Sequence, residues 1–100
     1  MKKRIVTLSP EANADLRALY NWIASAAHPK TALGYIERIE SFCEGMSIAS
    51  ERGARRDDIR PNLRIVTFER RVTVAFTVDT TSVTILRLFY AGRNWEELIE

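Results

Sequence analysis

Residues 63–95 read LRIVTFERRVTVAFTVDTTSVTILRLFYAGRNW, and the fold of the chain is decided there. Three runs rich in β-branched and aromatic residues are parted by Glu69-Arg70-Arg71 and by Asp79-Thr80-Thr81-Ser82. Such runs, between short polar breaks, predict an antiparallel meander of three strands, each paired with its sequence neighbour. Alternation puts Val72, Val74, Phe76 and Val78 on one side of the middle strand and Thr73, Ala75 and Thr77 on the other. In the last run Leu86, Leu88 and Tyr90 share a face, and Val83, Ile85, Arg87 and Phe89 share the opposite one. A strand apolar on both sides implies that something covers the second sheet face, and a partner chain is one candidate.

Outward from the meander, the chain before it reads as helical. Arg4 to Leu8 is a short apolar-leaning run, predicted to be an edge strand. Ser9-Pro10-Glu11 is a helix start, with Ser as N-cap, Pro at the first helical position and an acid in the first turn. Ala12, Leu16, Leu19, Tyr20, Ile23 and Ala27 recur at helical spacing, with Asp15, Arg17 and Asn21 expected to face out. His28-Pro29 ends that helix. A second amphipathic helix is predicted from Lys30 to Met46 or Ile48, with Tyr35, Ile36, Ile39, Phe42, Cys43 and Met46 as its apolar stripe. Gly34 sits inside it, and close approach to the first helix would explain a glycine there. Residues 49–62 (ASERGARRDDIRPN) read as a polar loop, and residues 93–99 as a short tail. The whole is an α+β two-layer domain over residues 1–100, with a short N-terminal strand, a helical hairpin and a three-stranded antiparallel meander.

The totals exclude several classes. At 100 residues, 46% hydrophobic and 28% charged, the composition is that of a soluble globular domain with one modest core. One Cys and one His rule out an internal disulfide and a zinc site of usual ligand count, so neither metal nor cofactor is expected. The apolar run after Met1-Lys2-Lys3-Arg4 is too short for a secretory signal, and no run approaches membrane-spanning length. The expected location is therefore the cytoplasm. A net charge of +2 does not by itself make a nucleic-acid binder, and no sequence-specific DNA binding is expected. Arginines concentrate at Arg52, Arg55, Arg56, Arg60, Arg64, Arg70 and Arg71, with Glu51, Asp57, Asp58 and Glu69 among them.

Standard catalytic constellations are absent: there is no phosphate-cradling glycine loop and no nucleophile triad. His28 reads as a surface or capping residue, and Cys43 as a small core residue. Arg64, Arg71, Arg87 and Arg93 with Tyr90 could gather at one end and face of the sheet and stabilise a pentavalent phosphate during RNA cleavage. Arg87, among apolar neighbours, needs a carboxylate: Asp57, Asp58 or Glu69 within the domain, or one supplied by a partner. In the second case Arg87→Ala weakens partner binding. Trp95 either caps the end of the sheet or meets a partner.

Leu8-Ser9-Pro10-Glu11-Ala12 with Asp15-Leu16 and Tyr20-Asn21-Trp22-Ile23 resembles the first helix of ParE-type toxins of bacterial toxin–antitoxin modules. Arg60-Pro61-Asn62-Leu63-Arg64, the run from Phe68 to Phe76, and the block from Ile85 to Trp95 continue the resemblance in order along nearly the whole chain. It implies the RelE/ParE-like fold and a cognate ParD-like ribbon-helix-helix antitoxin, bound as a hetero-oligomer. It further implies a free toxin that traps the cleavage complex of DNA gyrase without catalytic residues of its own. The related RelE-type members cut mRNA on the ribosome, and Arg64, Arg87 and Tyr90 would be the residues for that alternative; a toxin with another target is a further one. The expected antitoxin contacts are Leu16, Leu19, Tyr20, Ile23, Arg87 and Phe89. The expected target contacts are Arg60, Arg93 and Trp95, in the loop and the tail.

Overall fold

Ser9 starts the first helix as its neighbours predict. Its Oγ accepts the Ala12 N–H at 3.0 Å and donates to the Leu86 carbonyl at 2.8 Å, so the cap also ties the helix to a strand far along the chain. That helix, α1, spans Pro10–Ala26, and α2 spans Pro29–Glu44. His28 caps α2, its Nδ1 accepting the Lys30 N–H at 3.1 Å. The α-helix ends at Glu44, short of the predicted Met46 or Ile48, because the chain tightens into a 3₁₀ turn over Gly45–Ser47. Met46 stays fully buried in that turn. The computed structural model describes residues 3–90 and residue 96.

Five strands form one mixed sheet in the order β1-β5-β4-β3-β2. They are β1 (Ile5–Leu8), β2 (Ala54–Arg55), β3 (Leu63–Phe68), β4 (Val72–Val78) and β5 (Ser82–Tyr90). The meander β3-β4-β5 is antiparallel, and β1 adds to its edge in parallel, Ile5 opposite Ser82 and Leu8 opposite Ile85. The two-residue β2, paired with β3, falls in the stretch read as loop; so short a strand carries no periodic signal. Both helices pack on one face of the sheet, where Leu19, Ile39, Val74, Phe76, Ile85 and Leu88 are almost wholly removed from water.

The register corrects the expected faces of β5. Ala75 lies opposite Arg87, but Phe76 lies opposite Ile85, so Leu86 is an extra residue without a partner on β4. This bulge shifts the alternation midway. Val83 and Ile85 face the helices together with Leu88 and Tyr90, whereas Leu86 and Phe89 pack on the other face. The second face is covered by the chain itself. Ile59 from the loop packs on Leu63, Ala75 and Phe89, which are at most 1% exposed. Arg56 in the same loop pairs with Asp58 at 2.9 Å and reaches Glu96 at 2.8 Å.

β1 covers β5 only as far as Ile85, leaving the strand edge beyond it without a neighbour. There α1 takes over. Asp15 accepts the Leu88 N–H at 2.9 Å and, with both oxygens, the Arg87 guanidinium at 2.8 and 3.0 Å. Asp15 is therefore turned inward, with a side chain 11% exposed, rather than outward as its helical position suggests. The Arg87 proton is held more tightly than usual because of that bond. The carboxylate is thus neither a partner's nor one of the three acids proposed within the chain: Asp57 pairs with Arg55, Asp58 with Arg56 and Glu69 with Arg38. Gly34 is also not explained by helix contact, since a Cβ there would meet nothing within 4 Å.

Candidate functional site

The β3–β4 connection is a tight turn in which Arg71 N–H returns to the Phe68 carbonyl at 3.0 Å. Glu69 (φ 50°) and Arg70 (φ 59°) both adopt left-handed conformations there. Two positive φ values in succession make a type I′ turn, whose twist suits a hairpin but whose usual residues are Asn and Gly. A Glu-Arg pair holds it here at a cost in strain. The turn stands against the helical hairpin, and between them opens a cleft of about 790 Å³.

Leu19 and Ile23 of α1 and Val72 of β4 line the cleft, with Ala26 and Ala27 beside them. Trp22, 54% exposed, stands at one side with its ring 5.6 Å from that of Tyr90. Tyr35 lies on the opposite helix, its ring 5.8 Å from Phe68 edge to face and 4.9 Å below the Arg38 guanidinium. Arg38 and Glu69 form a two-point ion pair at 3.0 and 3.2 Å, which holds the Glu69 carboxyl below the usual carboxylate range. Arg70 and Arg71 complete the lining. With Glu69 engaged by Arg38, neither of these two exposed arginines forms an ion pair at bonding distance among the described residues, although the Arg71 charge also acts on Glu69. The cleft is apolar inside and cationic at its rim.

The Tyr35 hydroxyl is buried and has no hydrogen-bond partner, alone in this among the described side chains. Burial first, and the Glu69 carboxylate second, push its pKa up. A buried phenol kept neutral and without a partner is an unsatisfied polar group inside the wall of the cleft. Among the described residues no three His, Cys, Asp or Glu side chains gather to hold a metal ion. Burial pushes the Cys43 thiol up to about 11, so it is no nucleophile at neutral pH.

The residues singled out from sequence divide sharply. Leu19 and Ile23 line the cleft; Leu16 is a core residue, and Tyr20 is half-buried outside the lining. Phe89 is buried on the opposite sheet face, and Arg87 is occupied by Asp15. Of the arginine–tyrosine set, Arg71 and Tyr90 reach the cleft. Arg64 lies opposite Phe76 while Tyr90 lies opposite Val72, four residues further along β4. That separates them by about 13 Å along the strand direction alone, with β4 lying between their strands. Arg60 is exposed on the loop, and Arg93 and Trp95 lie outside the described residues, as does the tail apart from Glu96. The sequence reading missed Trp22, Tyr35, Arg38 and Arg70 as lining residues. Trp22 is the one with a usable signal, a large aromatic ring one residue before Ile23 on the apolar side of α1.

The helical hairpin on one face of a five-stranded mixed sheet is shared with chains from solved toxin–antitoxin systems. A chain from the chromosomal ParDE system of P. aeruginosa superposes with a TM-score of 0.77 at 26% identity, covering 89% of this chain and 97% of the other. A chain from the RelBE2 toxin–antitoxin complex of Mycobacterium tuberculosis superposes with a TM-score of 0.63 at 18% identity, covering 93% and 97%. The second likeness is one of fold. No curated protein sequence matches this chain. Residues 6–95 match the family described as the ParE toxin of the type II toxin–antitoxin system parDE, and the chain belongs to that family.

Proposed function

We propose that residues 1–100 form a toxin domain that acts in the cytoplasm on DNA gyrase, trapping its cleavage complex. A cognate antitoxin of the ribbon-helix-helix type silences it as a hetero-oligomer by filling the cleft between the helical hairpin and the β3–β4 turn. The observation that carries the antitoxin reading is the cleft itself: an apolar trough over Leu19, Ile23 and Val72, rimmed by Arg70 and Arg71. Its complement is an amphipathic segment with apolar anchors at helical spacing and acids along one side. Trp22 and Tyr35 give that segment an aromatic wall. Family membership supports the toxin reading.

Gyrase is favoured over messenger RNA because the candidate nuclease residues are dispersed. Arg87 is held by Asp15, and Arg64 and Tyr90 belong to opposite ends of β4. Target contact falls to the 49–62 loop with Arg60 and to the tail with Arg93 and Trp95. The test is a gyrase cleavage assay on supercoiled plasmid with antitoxin-free protein. Dose-dependent linear DNA, suppressed by antitoxin, is the expected result. No trapped cleavage from folded protein, together with ribosome-dependent cutting of mRNA, overturns it in favour of the RelE-like alternative.

A further inference from the structure

At the other end of the sheet from the cleft, Arg4, Arg55 and Arg64 line a polar pocket of about 260 Å³ with Glu51, Asn62 and Asp79. Two of these guanidiniums are anchored in the same way. Arg64 donates its Nε–H to the Arg52 carbonyl at 3.1 Å, and Arg4 donates its Nε–H to the Asp79 carbonyl at 2.7 Å. A guanidinium fixed through Nε presents its two terminal nitrogens as a fork. Among the described residues neither Arg4 nor Arg64 has a carboxylate partner, and neither fork carries a hydrogen bond within the chain.

The neighbouring acids do not fill that gap. The Asp79 carboxylate is taken up by its own turn, accepting the Thr81 and Ser82 N–H groups at 2.8 and 2.7 Å and the Ser82 hydroxyl at 2.9 Å. Those bonds hold it below the usual carboxylate range. Asp57 serves Arg55. Arg55, compensated by Asp57 and by the Glu51 charge, lies directly opposite Arg64 across the β2–β3 pair, and Glu51 makes no ion pair with either fork among the described residues. The anchor of Arg64 depends on one backbone position. Gly53 sits at φ 74°, and a Cβ there would come within 2.1 Å of the Ile65 carbonyl oxygen. Only glycine lets this segment press onto β3 and bring the Arg52 carbonyl to Arg64.

We propose that this pocket binds a phosphate group, presented as a phosphodiester of a nucleic-acid backbone. A planar carboxylate is saturated by one two-point arginine contact, whereas a tetrahedral phosphate offers oxygens to two forks, one from β3 and one from the residue before β1. The pocket has no aromatic ring on which a base could stack, so the contact is to the backbone and independent of sequence. The inference does not depend on what fills the cleft.

The probe is a fluorescently labelled mixed-sequence DNA duplex, titrated with partner-free protein at several salt concentrations and read by anisotropy. Arg4→Gln with Arg64→Gln lowers affinity at least tenfold and flattens the dependence of log K on log salt, by about 0.9 for each phosphate no longer neutralised. Arg64→Lys, which keeps the charge and loses the fork, falls between the double variant and the native chain. Arg17→Gln, an exposed arginine on α1, leaves binding unchanged, and melting curves confirm that each variant is folded. Arg4→Gln alone, at a surface hydrogen bond, keeps the test open should the Arg64 variants unfold. Duplex binding equally insensitive to Arg4, Arg64 and Arg17 overturns the proposal. So does a response of the Arg4 and Arg64 Nε–H resonances to inorganic phosphate without any loss of duplex binding in the variants, since the ligand is then the free ion.

Discussion

Arg70→Gly separates stability from binding in this toxin. Arg70 holds φ 59° in the β3–β4 turn, a conformation that costs an L-residue with a Cβ about 1–2 kcal/mol. Glycine removes that cost but loses about 0.5–1 kcal/mol through the greater freedom of the unfolded chain. The Glu69–Arg38 pair is untouched, because neither partner changes. Relief of strain therefore wins by about 0.5–1 kcal/mol. For a domain of this size that raises the melting temperature by about 2–8 °C. The same substitution takes one of two arginines without a bonded carboxylate from the rim of the cleft. An acidic antitoxin segment should then associate more slowly at low salt, with a weaker dependence on ionic strength. Differential scanning calorimetry reads the first effect, and stopped-flow association at two salt concentrations reads the second. An unchanged or lower melting temperature refutes the strain argument. Unchanged association at low salt removes Arg70 from the docking surface. Backbone strain kept where it lowers stability and aids recognition is the pattern expected of a functional turn.

Asp15→Ala should cost about 2–3 kcal/mol in a urea melt, because it strands both the Arg87 guanidinium and the Leu88 N–H at a partly buried strand edge. A loss under about 0.5 kcal/mol would mean that water serves that edge equally well. Gly34→Ala should stabilise α2 by up to about 1 kcal/mol, since the helix gains propensity and the new methyl meets nothing within 4 Å. A lowered urea midpoint would contradict the open space at that position.

Local chemistry made much of this protein legible. Ser9-Pro10 fixes a helix start through its own side chain and ring, and His28-Pro29 fixes the junction between helices. The β-branched runs of 63–90 can bury themselves only as paired strands, and the order of these elements carries the family resemblance. What sequence could not convey lies in pairings between distant elements. The bulge at Leu86 shifts which residues of β5 face the helices, and a period of two cannot announce where it breaks. Arg87 finds its carboxylate 72 residues away, on a helix whose amphipathic pattern turned Asp15 outward. β1 is too short to cover β5, so α1 must satisfy the strand's remaining edge, and that need brings Asp15 inward. The cleft follows from the same packing. Trp22, Tyr35 and Arg70 come from two helices and a turn, each ordinary in its own segment, and they form one surface only after the helical hairpin docks on the sheet.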